Sequence, residues 1–317
     1  MTRMLVSLAI IFLSLGLGIE CFAETPDNRK LQDYYEYWRN KYLKHSQQVD
    51  GGTFVDYKDN RTTCSEAHGY GMLICVYMSR FHEDTARKDF DALEIFRRQF
   101  RSRIDSRLMS WYVDDRIDTP NKTTCATDGD LDIAYALILA AHEWKVPKYM
   151  AEAKKILAGI EDSLIRPDYS LRRGDWDRDQ HATRLSDIMP THFDAFAQVS
   201  NRKLWRCVKD VHYSILRQMS LYGGAFPDFV VKGKTGWKPA PPNFLESDYD
   251  GMMYYNACRV PWRLAAAVIE NSDKDARHLL RIFNFGIGKV PNDDFMAGYH
   301  LDGKPLNEWT DGAFTAP

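Results

Sequence analysis

Several absences narrow what this 317-residue chain can be. It has no CxxC pair, so a structural zinc site has no support. It has no HExxH and no His pair at metal-ligand spacing, and no GxSxG for a serine nucleophile. It has no basic excess: 42 Lys and Arg stand against 44 Asp and Glu, for a formal charge of −2, which argues against nucleic acid as a partner. The Asp128-Gly129-Asp130 run lacks the closing Glu of a twelve-residue calcium loop. Nothing in the sequence calls for a metal or a cofactor.

Long apolar runs are also scarce. One, Leu5 to Ile19, follows Arg3 and leads to Cys21-Phe22-Ala23 before Glu24. A short apolar run with small residues at the −3 and −1 positions reads as a signal peptide, residues 1–23, cut after Ala23. At 15 residues it is short for a membrane span, which needs ~20. An uncleaved anchor is the alternative. A lipoprotein is disfavoured by Glu20, which stands where a small residue would be expected. The expected mature chain, residues 24–317, is therefore secreted, with no membrane contact after cleavage, and monomeric. It would keep Cys64, Cys75, Cys125, Cys207 and Cys258. An odd number leaves at least one thiol without an intrachain partner.

What is present is helical periodicity of two kinds. Residues 66–81, 130–144, 188–199 and 252–269 are apolar nearly all round. Residues 89–100, 148–163, 204–221 and 273–285 are amphipathic, and so are residues 31–43 nearer the start. A helix apolar all round is buried, and an amphipathic one lies outside it. The alternation predicts inner and outer helices in hairpins, an all-α toroid of (α/α) type. Separate four-helix bundles are the alternative, but they would not explain polar motifs recurring near the start of each apolar segment. The connecting stretches 101–129, 167–187 and 222–251 are long, and long irregular loops in a compact domain are usually functional. Each leads into an inner helix, so all three should open on one end of the barrel.

Four acidic motifs lie at these starts: Ser65-Glu66, Asp128-Gly129-Asp130-Leu131-Asp132, Asp175-Trp176-Asp177 and Glu246-Ser247-Asp248-Tyr249-Asp250. Any one of them could be helix capping, since Asp and Ser satisfy free amides there and carboxylates suit the helix dipole. Four at one end, with aromatics between them, suit glycoside cleavage. That reaction needs a protonated carboxyl for the leaving oxygen and an ionised one on the opposite side of the sugar. Glu66 and Glu246 come from distant segments, as that geometry requires. Trp111, Tyr112, Trp176, Tyr254 and Tyr255 are candidate sugar platforms, with core packing the alternative for each. Arg259 would keep Glu246 or Asp128 ionised, with a structural ion pair the alternative.

At these residues the sequence resembles glycoside hydrolase family 8. Ser65-Glu66-Ala67-His68-Gly69-Tyr70-Gly71-Met72 is similar to the family's SEGxGYGM motif, with Ala67 in place of a Gly. The segments 126–134 and Arg259-Val260-Pro261-Trp262-Arg263 match two further family segments. The resemblance implies an (α/α)6 barrel, an inverting endo-acting enzyme on a β-linked polysaccharide, Glu66 as general acid and Asp128 as the residue holding the sugar at the cleavage subsite. Many members carry an Asp base where this chain has Asn256, and an amide cannot take a proton from water. The chain is similar to the subgroup, including chitosanases and lichenases, whose base lies on an upstream loop reading PAPPNFLE, here residues 239–246. This makes Glu246 the expected base, with Asp248 and Asp250 in reserve. An inverting pair stands ~6.5–9.5 Å apart.

Three further expectations follow. Cys64 and Cys125 each precede a motif in a Thr-Thr-Cys context, which predicts a Cys64–Cys125 disulfide. Asp114, Asp115, Asp118, Asp175, Asp177, Asp179, Asp248 and Asp250 lie on the active-face loops. Such acidity suits cationic chitosan but is ordinary for solvated loops, so chitosan, xylan and β-1,3-1,4- or β-1,4-glucan all stay open. Counting gives about ten helices where the resemblance implies twelve, so the barrel is expected to lack its last hairpin. A lyase or phosphorylase on the same barrel, or an inactive sugar-binding relative, are the rival functions.

Overall fold

In a computed structural model the described residues are 26–116, 123–178, 181–287, 295–307, 309–311 and 314. The expected signal peptide, Asp118 and Asp179 lie outside them. The chain divides into two units, residues 1–41 and 42–317. Helix α1, Pro26–Tyr42, makes up nearly all of what is described in the first. Within it Tyr35 stacks on Trp38, with centroids 6.1 Å apart.

The second unit is built from helical hairpins. Helix α2, Ser65–Gln99, is two helices in one run, broken at His82, whose φ of −143° and ψ of 53° are not helical. Its first half is the inner rod and its second half the outer one. Three further hairpins follow: α3 (Thr127–Glu143) with α4 (Pro147–Ser163), α5 (Pro190–Val199) with α6 (Arg202–Ser220), and α7 (Val260–Asn271) with α8 (Lys274–Gly286). This is the (α/α)6-barrel architecture. Inner α3 is apolar on nearly every face and buried along almost its whole length. Outer α6 buries one side, Trp205, Val208, His212, Tyr213, Ile215, Leu216 and Met219, and turns the other toward solvent. Burial thus follows the two kinds of periodicity.

The loops carry small antiparallel sheets. Strands β1 (Leu43–His45) and β2 (Thr53–Val55) pair, as do β3 (Thr62–Cys64) and β4 (Tyr112–Asp114). Strands β5 (Ala182–Arg184), β6 (Phe229–Gly233) and β7 (Gly236–Pro239) form a three-stranded sheet in that order. The β3–β4 register sets Cys64 opposite Tyr112, so the loop carrying Trp111 is fixed to the start of α2.

The helix expected at 252–269 begins only at Val260, after one short turn at 257–259. The reason is Asp228, a buried carboxylate that accepts the backbone N–H groups of Tyr254, Asn256 and Ala257. Those amides are bonded to the Asp228 carboxylate in a turn, and the α-helix starts beyond it.

The inner helices approach most tightly at α2 and α3, and glycine permits it. A Cβ on Gly129 would overlap Ser65, and one on Gly69 would lie 2.7 Å from the Cβ of Asp132. Gly129→Ala would ordinarily favour a helix by up to ~1 kcal/mol. Here it should destabilise the protein by ~1–3 kcal/mol through overpacking, read as a lower urea midpoint. An unchanged or higher midpoint would show that the contact can relax.

Candidate active site

One cavity of about 720 Å³ opens over the N-terminal ends of the inner helices. Its wall contains Glu66, Asp128, Glu246, Trp111, Trp176, Tyr255, Asn256 and Arg259, with Arg103, Arg173 and Arg184. It is assembled from the loops expected to open on one end.

Glu66 is the second residue of α2 and Asp128 the second residue of α3. At a helix N-terminus the peptide dipoles favour a carboxylate. The two acids stand on adjacent helices and share cations. Arg259 pairs with Glu66 Oε1 at 2.7 Å and with Asp128 Oδ2 at 3.7 Å. Arg184 pairs with Asp128 Oδ1 at 2.9 Å and donates to Asp187 Oδ1 at 2.9 Å. Tyr70, one helical turn beyond Glu66, donates to Glu66 Oε1 at 2.8 Å.

These surroundings set proton affinity. Burial, and then the negative charge of Asp128, raise the Glu66 carboxyl above its ordinary range, while Arg259, Arg184 and the Tyr70 hydroxyl act against that rise. Burial pushes Asp187 up to about 7, against the pull of Arg184. Glu66 therefore retains its proton to a higher pH than an ordinary Glu.

Glu246 sits on the loop between β7 and α7 and is exposed. Its Oε2 accepts from Asn256 Nδ2 at 2.8 Å, and Asn256 Oδ1 accepts from Arg259 Nη2 at 2.9 Å. An ion pair and two hydrogen bonds thus run from Glu66 through Arg259 and Asn256 to Glu246.

Other acids serve the framework. Asp250 is buried and accepts the backbone N–H groups of Leu245, Glu246 and Ser247 at 2.6, 3.0 and 3.0 Å. It shapes the loop that presents Glu246 and does not line the cavity. Asp248 accepts from Asn243 and faces a different pocket. The Asp175-Trp176-Asp177 motif opens no helix, since α5 begins only at Pro190. Asp175 accepts from Ser102 and from the Cys125 N–H, and Asp177 pairs with Arg166 and Arg173 at 2.8 and 2.9 Å. Asp114 pairs with Arg116, and Asp115 accepts from Ser46 and the Gln47 N–H. None of the described aspartates in the acidic-loop set lines the cavity.

The aromatic candidates divide. Trp111, Trp176 and Tyr255 line the cavity and are 45%, 40% and 40% exposed. Trp176 is held between its two anchored aspartates with the Arg173 guanidinium 5.1 Å from its ring. Tyr112 is not on the wall; it packs beside Trp111, with centroids 5.4 Å apart. Tyr254 is likewise off the wall, packed between Tyr249 and Tyr255.

The Cys64–Cys125 disulfide does not form; both are free thiols. Each sulfur is turned to a backbone amide instead. Cys64 Sγ caps α2 by accepting from the Ala67 N–H at 3.5 Å, and Cys125 Sγ accepts from the Asp175 N–H at 3.3 Å. Burial raises both thiols, Cys64 to about 11.

Four participants were not singled out in the sequence: Tyr70, Arg184, Asp187 and Asp228. Tyr70 had a signal, since an i, i+4 spacing puts it on the face of Glu66. The other three lie in loop segments with no periodicity to orient them.

A hairpin barrel with these carboxylates and rings over its inner-helix starts defines a class, the glycosidases built on (α/α)6 barrels. Within it the chain belongs to glycosyl hydrolases family 8, whose family model matches residues 19–296. It is 36% identical over 299 residues to a β-glucanase from Niallia circulans, covering 89% of this chain and 72% of that one. It is 33% identical over 312 residues to an endoglucanase from Bacillus sp. (strain KSM-330), covering 92% and 66%. A solved β-1,3-1,4-glucanase from Paenibacillus sp. X4 has 34% identity and a TM-score of 0.85, covering 90% and 79%. A family 8 endoglucanase from Klebsiella pneumoniae shares the fold at 20% identity and a TM-score of 0.71, covering 89% and 87%.

The Tyr70 contact gives a direct check on the electrostatics. Its hydroxyl favours the ionised Glu66, so Tyr70→Phe should raise the Glu66 midpoint further in a carboxyl-carbon NMR titration. A midpoint equal to or below wild type would contradict the assigned balance.

Proposed function

We propose that the chain is a secreted, monomeric, endo-acting and inverting β-glucanase, with Glu66 as general acid, Glu246 as general base and Asp128 holding the sugar at the cleavage subsite. The observation that carries this reading is the placement of two carboxyls in one cleft with opposite surroundings. Glu66 is half-buried beside another acid, and Glu246 is solvent-exposed on a loop. Such a split is what acid and base roles require.

Glu66 gives its proton to the glycosidic oxygen as the bond to the anomeric carbon breaks. Glu246 takes a proton from water, whose oxygen attacks that carbon from the opposite face. The product is inverted, and both carboxyls return to their starting states by proton exchange with solvent. Arg259 assists by stabilising the Glu66 carboxylate that forms. Asp128, fixed by Arg184 and by the Gly129 N–H at 2.9 Å, is aimed into the cleft as a hydrogen-bond acceptor for sugar hydroxyls. No step calls on a cofactor.

Charge favours a neutral polymer. The cavity wall carries four arginines, 103, 173, 184 and 259, against Glu66, Asp128 and Glu246. The described loop aspartates that would have attracted chitosan are ion-paired, hydrogen-bonded or buried away from the wall. Mixed-linkage β-1,3-1,4-glucan is the preferred substrate, in keeping with the Paenibacillus enzyme's name. The apolar run before Glu24 supports export. Among the described residues no helix is long and apolar enough to cross a membrane.

Reducing-end release from lichenan should exceed that from chitosan, xylan or carboxymethylcellulose, and NMR should show the α-anomer first. Glu66→Gln and Glu246→Gln should each lower kcat by ~10²–10⁴-fold. Wild-type activity in Glu246→Gln would remove it from the mechanism, and a first-formed β-anomer would exclude inversion.

A further inference from the structure

The exposed Glu246 is held by something more rigid than its own loop. Among the described residues one donor reaches its carboxylate, the Asn256 amide at 2.8 Å. The second hydrogen of Asn256 Nδ2 goes to Asp228 Oδ2 at 3.2 Å, and Oδ1 accepts from Arg259. Both hydrogens of the amide are in use.

Asp228 is buried and fixed on all sides. Its carboxylate takes the N–H groups of Tyr254 (2.8 Å), Asn256 (3.1 Å) and Ala257 (2.7 Å) besides the Asn256 side chain. Its own N–H donates to the Met252 carbonyl at 2.8 Å, and its carbonyl accepts from the Leu185 N–H at 3.1 Å. This ties it both to the start of the α7 segment and to the turn that carries Arg184.

We propose that Asp228 and Asn256 form a strap that positions Glu246, with Asp228 orienting the Asn256 amide and the amide aiming the Glu246 carboxylate into the cleft. The proposal rests on Glu246 being the base. Asn256 is a positioning residue and not a catalytic one, since the amide neither gives nor takes a proton. A carboxylate at 256 would face Asp228 and Glu246 with no hydrogen to offer either, and Arg259 is the only cation bonded to residue 256 among the described residues.

The test compares Asn256→Ala, the near-isosteric Asn256→Asp and Glu246→Gln on lichenan, with kcat and KM. Removing the amide should lower kcat by ~10–100-fold, as misplacement of a reacting group does. KM should stay within about twofold, because Trp111 and Trp176 are untouched. General structural damage would weaken substrate binding as well, so a fall in kcat matched by a rise in KM overturns the strap. Thermal melts identify any variant that does not fold, and Asn256→Asp keeps the side-chain shape if Asn256→Ala fails. If Glu246→Gln keeps wild-type kcat, the base reading has failed and the strap with it. If Glu246→Gln is inactive while Asn256→Ala keeps wild-type kcat, the strap alone has failed.

Discussion

The Arg259 guanidinium is the contact on which the site depends. It meets Glu66, Asp128, Ser186 and Asn256, and so joins α2, α3, the turn before α5 and the segment before α7. Only a planar cation with several fixed N–H donors reaches four such partners; a Lys ammonium offers three donors at one point. Arg184 is the second cation. Together they face three carboxyls, Glu66, Asp128 and Asp187. Two positive charges cannot neutralise three negative ones, and burial makes the surplus costly. Burial first, and the negative charge of Asp128 after it, raise both Glu66 and Asp187. Glu66, raised in this way and with Arg259 at 2.7 Å, has the surroundings that the proposed acid role calls for.

Helix α3 shows how one short motif serves three purposes. Residues two apart on a helix point to nearly opposite sides, and residues four apart return to one face. Asp128 faces the cleft. Asp130 turns away, accepts the Met109 N–H at 2.9 Å, and is raised well above the ordinary carboxylate range by complete burial. Asp132 lies one turn below Asp128 and binds Arg263 through two bonds of 2.7 and 2.6 Å, with His192 at 2.8 Å. Its carboxyl is lowered despite full burial, because the paired Arg263 and His192 outweigh desolvation. Gly129 and Gly69 let α2 pack close enough for Glu66 and Asp128 to share Arg259.

The inner and outer helices were legible because burial on all sides or on one side leaves a direct mark on the chain. Glu66 and Asp128 were legible as cavity residues because acidic motifs recur at several buried-helix starts, where one alone could be a cap. The loop acids were harder to place. In sequence, Asp175, Asp177 and Asp250 look like cleft carboxylates, yet each spends its oxygens on backbone amides or buried arginines. A loop aspartate is as able to fold its own loop as to face a substrate, and composition carries no direction. The same limit hid Arg184 and Asp187. The expected disulfide failed for a related reason. Similar Thr-Thr-Cys contexts reflect similar helix starts, and at each start the sulfur has an amide within reach.

The proposed acid and the proposed base are supported differently, and the difference follows from where they stand. Glu66 needs little besides its helix, since α2 fixes its backbone and Tyr70 and Arg259 fix its oxygens. Glu246 has a loop for a backbone, so its position must be supplied from outside. Asp250 gathers three consecutive amides, including that of Glu246, and sets the turn. Asn256 then fixes the carboxylate itself, from a segment that Asp228 has pinned to the barrel. One group shapes the loop and another aims the side chain. A residue on an exposed loop can thereby keep a defined place relative to a helix-borne acid, which a reaction with two carboxyls and one water between them demands.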